Sequence, residues 1–91
     1  MKKTVKLIIT GSLQSMFFRQ FIKENAEIND VSGFIRKLEN NDIEVILEGD
    51  RPDVDEMINI CKTGPKHAII RNVQIQEMLF QDLKGFKIIN F

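Results

Sequence analysis

The residues best suited to chemistry lie in one short stretch, residues 11–19, which begins with Gly11 and ends with Arg19. A strand-like run precedes it, and a helix-like run follows it with Arg19 in its first turn. Between a strand and a helix N-terminus, consecutive backbone N–H groups can converge on an anion. An arginine fork can bind two phosphate oxygens at once. The stretch therefore predicts an anion site, although the pattern also fits a plain strand-to-helix connection with a solvated arginine.

The composition is that of a globular protein, with 43% hydrophobic and 29% charged residues in a chain of 91. This length predicts one domain, residues 1–91, with one small core. Lys plus Arg and Asp plus Glu each number 13, so the net charge is zero. A neutral chain gives no general electrostatic attraction for nucleic acid or an anionic membrane.

The single cysteine, Cys61, excludes an internal disulfide and favours a reducing compartment. The first residues lead directly into an alternating segment that contains Lys6, which is unlike a signal peptide. We therefore expect a cytoplasmic protein.

The hydrophobic periodicity predicts the order strand, helix, strand, strand, helix, strand, with a short last strand. The predicted strands are residues 4–10, 31–38, 43–47, 69–78 and 86–91; the helices are residues 18–28 and a segment around 54–61. Asp50 is a candidate N-cap of the second helix, and Gly64-Pro65 ends it. Gly33 suggests a bend or a close backbone approach. On the strand 69–78, alternation places Ile69, Val73 and Ile75 on one face.

This order is the ferredoxin-like split βαβ pattern, an α+β fold in which two helices cover one face of an antiparallel sheet. The ends of the predicted strands and helices then determine which side chains can lie near residues 11–19.

Residues 11–19 resemble the phosphate-binding loop of the acylphosphatase family, whose signature is Gly-x-Val-Gln-Gly-Val-x-Phe-Arg. Four positions match, two are conservative replacements and one differs: Gly11, Gln14, Phe18 and Arg19; Leu13 and Met16; and Ser15 in place of a glycine. The resemblance continues through residues 33–36, 64–65 and 85–88, so it spans roughly residues 4–91.

The resemblance implies the ferredoxin-like fold independently of the periodicity. It also implies that Arg19 and the backbone of residues 12–18 hold the phosphate of an acyl phosphate; these residues are Ser12, Leu13, Gln14, Ser15, Met16, Phe17 and Phe18. In the family an Asn on the second strand orients the attacking water, and no metal or cofactor takes part. We accordingly expect a monomer that binds a small acyl phosphate or inorganic phosphate.

The pattern departs from the family at the position of that Asn, which is Lys37 here. An Asn side chain can accept a hydrogen bond from water, whereas a lysine ammonium only donates. Arg19 and Lys37 are therefore the predicted catalytic-site side chains, with Lys37 suited to holding phosphate and unsuited to directing water. Asn40 or Asn41 in the following turn could supply the missing group.

Three smaller features carry less information. Ser15 would cost of order 1 kcal/mol if its backbone had to be left-handed, or its hydroxyl could add a donor to the loop. His67 fits an exposed loop residue better than a base. Cys61 falls on the apolar stripe of the second helix, which favours core packing.

Three functional classes therefore remain open. The first is an acylphosphatase with weak or absent turnover, and the second is a non-catalytic module that binds phosphate or acyl phosphates. The third is RNA binding, because RNA-recognition domains share this topology. That class uses aromatic side chains on the central strands, and this chain has no Tyr or Trp, so RNA binding ranks last.

Overall fold

The computed structural model describes residues 1–13 and 15–89. It contains seven elements in the predicted order. These are β1 (Lys2–Ser12), α1 (Ser15–Ile28), β2 (Ser32–Lys37), β3 (Ile43–Asp50), α2 (Arg51–Thr63), β4 (Ile69–Met78) and β5 (Phe86–Ile88). Of the predicted last strand, residues 90 and 91 lie outside the described part of the chain.

The strands form one sheet in the order β4-β1-β3-β2-β5. All neighbours are antiparallel except β2 and β5, which run parallel. The two helices pack against each other and against the sheet, with α1 over β2 and β5 and α2 over β1, β3 and β4. This confirms the α+β ferredoxin-like sandwich with both helices on one face.

The core lies between that face and the two helices. Alternate residues of β1, namely Val5, Leu7 and Ile9, are completely buried. The helices contribute stripes at helical spacing: Phe18, Ile22 and Ala26 from α1, and Val54, Met57, Ile58 and Cys61 from α2. The buried faces of β1 and of both helices thus follow the hydrophobic periodicity of each segment. Among the described residues, no helix has the length and apolar character needed to cross a membrane.

Helix α1 begins at Ser15, three residues before the predicted start at Phe18. Met16 and Phe17 are 68% and 70% exposed. The start of α1 was predicted from its buried apolar residues, and these two residues are not among them. Consequently Arg19 lies at the start of the second turn rather than in the first.

The predicted face of β4 was wrong at Ile69, which is 62% exposed. The register of β4 against β1 shifts between Thr10 and Gly11, so that Ile70 lies opposite Gly11 and Ile69 opposite Ser12. An extra residue in a bulge exchanges the two faces of a strand. Ile70 therefore packs against the core together with Val73, in the place predicted for Ile69.

Strand β3 continues to Asp50, beyond the predicted end at residue 47, and its residues 43–49 are all buried. Asp50 is the N-cap residue of α2, as predicted, although its side chain makes no capping hydrogen bond.

On the face of the sheet away from the helices, the β3 residue Glu48 is only 3% exposed. It accepts hydrogen bonds from the Thr4 hydroxyl and from the backbone N–H groups of Gln81 (2.7 Å) and Leu83 (2.6 Å).

Strands β4 and β5 lie at opposite edges of the sheet, and residues 79–85 connect them. The hydrogen bonds to Glu48 hold this connection against β3, the central strand. Burial by itself would raise the pKa of the Glu48 carboxyl, but the three hydrogen bonds outweigh burial and lower its pKa. The contribution of Glu48 to stability is therefore complete above the ordinary carboxyl range and is lost as the pH falls through its lowered pKa.

We expect Glu48→Gln to lower the free energy of unfolding at pH 7 by about 1.5–3 kcal/mol, because hydrogen bonds to a charged acceptor are lost. The difference from the natural protein should shrink as the pH falls, since protonated Glu48 resembles glutamine. Urea unfolding at several pH values measures this, with Glu77→Gln, a change at an exposed glutamate of the edge strand β4, as the control. A difference that does not change with pH would contradict the assignment.

Candidate functional site

One end of the sandwich brings together the segments that carry the predicted site residues. Strand β1 ends there at Ser12, which pairs with Ile69 at the start of β4. Strand β2 ends there at Lys37, which pairs with Ile43 at the start of β3. Helix α1 begins at this end and α2 finishes at it. The residues 12–19 and Lys37 therefore share one end of the molecule, except that Gln14 lies outside the described residues.

Gly11 lies near the end of β1, where the backbone of β4 approaches the backbone of β1 closely. A Cβ atom built on Gly11 would lie 2.1 Å from the carbonyl oxygen of Ile69. No side chain can occupy that space without a shift of the backbone. The first glycine of the phosphate-loop signature thus has a packing reason here, which is the close approach of β4.

The first turn of α1 is fixed by Phe18, whose side chain is completely buried in the core. Residues in the first turn of a helix have backbone N–H groups without a partner inside the helix. In α1 these residues include Ser15, Met16 and Phe17. They lie at the positive end of the helix dipole. Arg19 follows on the next turn and is half-buried. Ser12 and Leu13 lead into the turn from the end of β1.

Lys37 lies on the face of the sheet that the helices cover. It is paired with Ile43, which is paired in turn with Ile9, and directly paired residues point to the same face. Ile9 and Ile43 are core residues. Lys37 itself is exposed, and within the described part of the chain it has no hydrogen-bond or ion-pair partner.

The lengths of α1 and β2 bring Lys37 level with the start of the helix. Helix α1 has 14 residues and β2 has 6, which correspond to about 21 Å and about 20 Å. They run in opposite directions, they contact each other, and a short turn joins Ile28 to Ser32. Lys37 is therefore level with the first turns of α1, at the same end of the molecule.

The neighbours of Lys37 in the chain have other partners. Arg36 points to the opposite face, where its Nε donates to the Glu44 carboxylate at 2.6 Å; this pairing raises the pKa of Arg36. The Asn40 side chain donates to Asp42 and accepts from the backbone N–H of Asp42. Asn41 has a left-handed φ of 73°, which asparagine tolerates well. Both asparagines thus shape the turn.

A cleft of about 290 Å³ opens beside the first turn of α1. It is lined by Phe17 and by the turn between α2 and β4, namely Pro65, Lys66, His67 and Ala68. The sequence predicted that the backbone of Phe17 binds phosphate, and it predicted no role for the Phe17 side chain. The available signal was that Phe17 falls outside the apolar stripe of α1, so its ring was free for another role.

The two remaining candidates, His67 and Cys61, lie in opposite environments. His67 is exposed in the turn, as predicted. Cys61 is fully buried as a free thiol, and burial raises its pKa to about 12. Among residues 1–13 and 15–89, no group of three or more His, Cys, Asp or Glu side chains is placed to hold a metal ion.

Comparison with known proteins agrees with this architecture. A family model described as Acylphosphatase matches residues 5–88. An acylphosphatase of Rubrobacter xylanophilus is 37% identical over 75 residues, which are 82% of this chain and 68% of the relative. An acylphosphatase of Caldanaerobacter subterraneus subsp. tengcongensis is 34% identical over 89 residues, 97% of this chain and 99% of the relative.

The fold is also that of a solved relative. The crystal structure of an acylphosphatase from Bacillus subtilis superposes with a TM-score of 0.89, covering 98% of this chain and 99% of that one at 19% identity. Because the family model covers residues 5–88 and the Rubrobacter and Caldanaerobacter relatives are 37% and 34% identical, the chain belongs to the acylphosphatase family.

We expect Cys61 to resist thiol-modifying reagents in the folded protein, because the thiolate is the reactive form and a pKa of about 12 leaves almost none of it at pH 8. Labelling by iodoacetamide, followed by mass spectrometry, should require denaturation. Rapid labelling of the native protein would show that Cys61 is accessible.

Proposed function

We propose that this protein binds the phosphate group of acyl phosphates at the turn between β1 and α1, and that it hydrolyses the carboxyl–phosphate bond slowly or not at all. Membership of the acylphosphatase family supports hydrolase activity on acyl phosphates. The reduced rate is inferred from Lys37. The proposal includes a cytoplasmic, monomeric protein that needs no cofactor.

The phosphate would be held by groups of three kinds. The backbone N–H groups of residues 12–13 and 15–18 would surround it at the end of β1 and the start of α1, where the helix dipole favours an anion; Gln14 belongs to the same predicted set and lies outside the described residues. Arg19 adds a planar pair of donors. Lys37 adds a positive charge from the neighbouring strand. The observation that carries this arrangement is the pairing of Ile9, Ile43 and Lys37 in one row, which puts Lys37 on the helix side of the sheet.

Binding and turnover make different demands at this site. Phosphoryl transfer to water depends mainly on positioning and on stabilisation of charge. Arg19, Lys37 and the backbone supply donors for the charge. A water molecule in line with phosphorus needs an acceptor, and Lys37 has none. Asn40 is bonded within its own turn, which weakens the alternative that it replaces the family's Asn.

The second candidate function is a module that binds phosphate or acyl phosphates without turning them over. It rests on the same Lys37 and differs only in rate. Turnover of benzoyl phosphate, measured alongside phosphate binding, separates the two functions.

We expect Arg19→Ala to weaken inorganic phosphate binding by about tenfold to a hundredfold, because a hydrogen bond to a charged group contributes about 1.5–3 kcal/mol. An NMR titration that follows the amides of Leu13 and Met16 measures the affinity. Arg51→Ala is the matched control, since Arg51 is an exposed arginine at the start of α2, at the opposite end of the sheet. Equal affinities for both variants would remove Arg19 from the site.

We expect Lys37→Asn to raise the turnover of benzoyl phosphate by about tenfold to a hundredfold, which corresponds to about 1.4–2.8 kcal/mol of barrier. Phosphate binding should weaken at the same time, because a positive charge is removed. Addition of Ser15→Gly should bring no further gain, because Ser15 is the first residue of α1 and its backbone is helical rather than left-handed.

The control for this experiment is Lys87→Asn, which makes the same change of charge on the other face of the sheet, beside Phe34. It should alter neither turnover nor phosphate affinity. Rapid hydrolysis by the natural sequence would refute the role given to Lys37, because another group would then be orienting the water.

A further inference from the structure

We propose that the cleft between Phe17 and the turn 65–68 is the subsite for the acyl group, and that it selects an apolar, aromatic acyl group. This inference rests on the proposed function, since it requires phosphate to be held at the start of α1. It adds a substrate class and assigns a role to the side chain of Phe17, to Pro65 and to Ala68.

The position of the cleft follows from the fold. Phe17 belongs to the first turn of α1, so its backbone lies at the phosphate position while its ring lines the cleft. The opposite wall is held there because Ile69, directly after Ala68, pairs with Ser12 at the end of β1. In an acyl phosphate a single oxygen joins the acyl carbon to phosphorus. The acyl group must therefore lie immediately beside the phosphate, and the cleft is there.

The lining of the cleft determines which acyl groups fit. The Phe17 ring, Pro65 and Ala68 present apolar atoms, and Lys66 and His67, which also line the cleft, are exposed to solvent. A dry cavity of about 150 Å³ can hold benzene, so about 290 Å³ holds a phenyl ring with its carbonyl. Aromatic rings also gain from offset or edge-to-face contact with Phe. A benzoyl group suits this lining better than an acetyl group, which would leave most of the cleft unfilled.

Phe17 is a favourable residue for a test because it is 70% exposed and is not part of the core. Its replacement by alanine keeps the backbone N–H and a good helix former. The change should therefore remove one wall of the cleft without unfolding the protein.

The experiment compares two acylphosphonates that cannot be hydrolysed, benzoylphosphonate and acetylphosphonate, by calorimetry. The measured quantity is the ratio of their dissociation constants, because any change in the shared phosphonate contacts cancels in that ratio. We expect the natural protein to favour benzoylphosphonate by about tenfold, which corresponds to about 1.4 kcal/mol, and Phe17→Ala to reduce the ratio to about twofold or less.

The matched control is Ile69→Ala, which removes an exposed apolar side chain next to the turn 65–68 that does not line the cleft. It should keep the ratio of the natural protein. A ratio near one in the natural protein, or an unchanged ratio in Phe17→Ala, would overturn the acyl subsite while Arg19-dependent phosphate binding still supported the proposed function. Failure of the natural protein to bind either phosphonate or inorganic phosphate would overturn both.

Discussion

The register of the three neighbouring strands β1, β3 and β2 is the constraint on which the rest of the molecule depends. It pairs Ile9 with Ile43 and Ile43 with Lys37. A slip by one residue would turn the buried residues of a strand to the opposite face. Burial of Ile9 and Ile43 therefore fixes the register, and the register places Lys37 on the helix side. The same packing that stabilises the fold thus positions a residue of the candidate site.

The two ends of the sheet show opposite arrangements of polar groups. At the end that contains Thr4 and Glu48, donors and acceptors are paired within the protein, and the connection 79–84 is held against the central strand. At the other end, the first turn of α1 and Lys37 face solvent. An anion site needs donors that the fold itself does not use, so pairing for stability and recognition of a ligand are found at different ends.

Under the proposed function, Lys37, which stands where the family resemblance implies an Asn, would separate the binding of phosphate from its turnover. Holding a phosphate needs donors and positive charge, which a lysine provides. Directing water needs an acceptor at a defined place, which a lysine lacks. Asn41, where the resemblance implies a glycine, has a left-handed φ of 73°, a conformation that asparagine tolerates well.

The sequence by itself determined the class of fold, the order of its elements and the family, because buried stripes, turn residues and the loop signature are local patterns. Tertiary structure decided the start of α1, the exposed position of Ile69 and the cleft beside Phe17. Met16 and Phe17 lie off the buried stripe, and the exchange of faces in β4 comes from a bulge against β1. Whether a side chain is buried or exposed there depends on a neighbour distant in the chain, and hydrophobic periodicity within one segment carries no information about that neighbour.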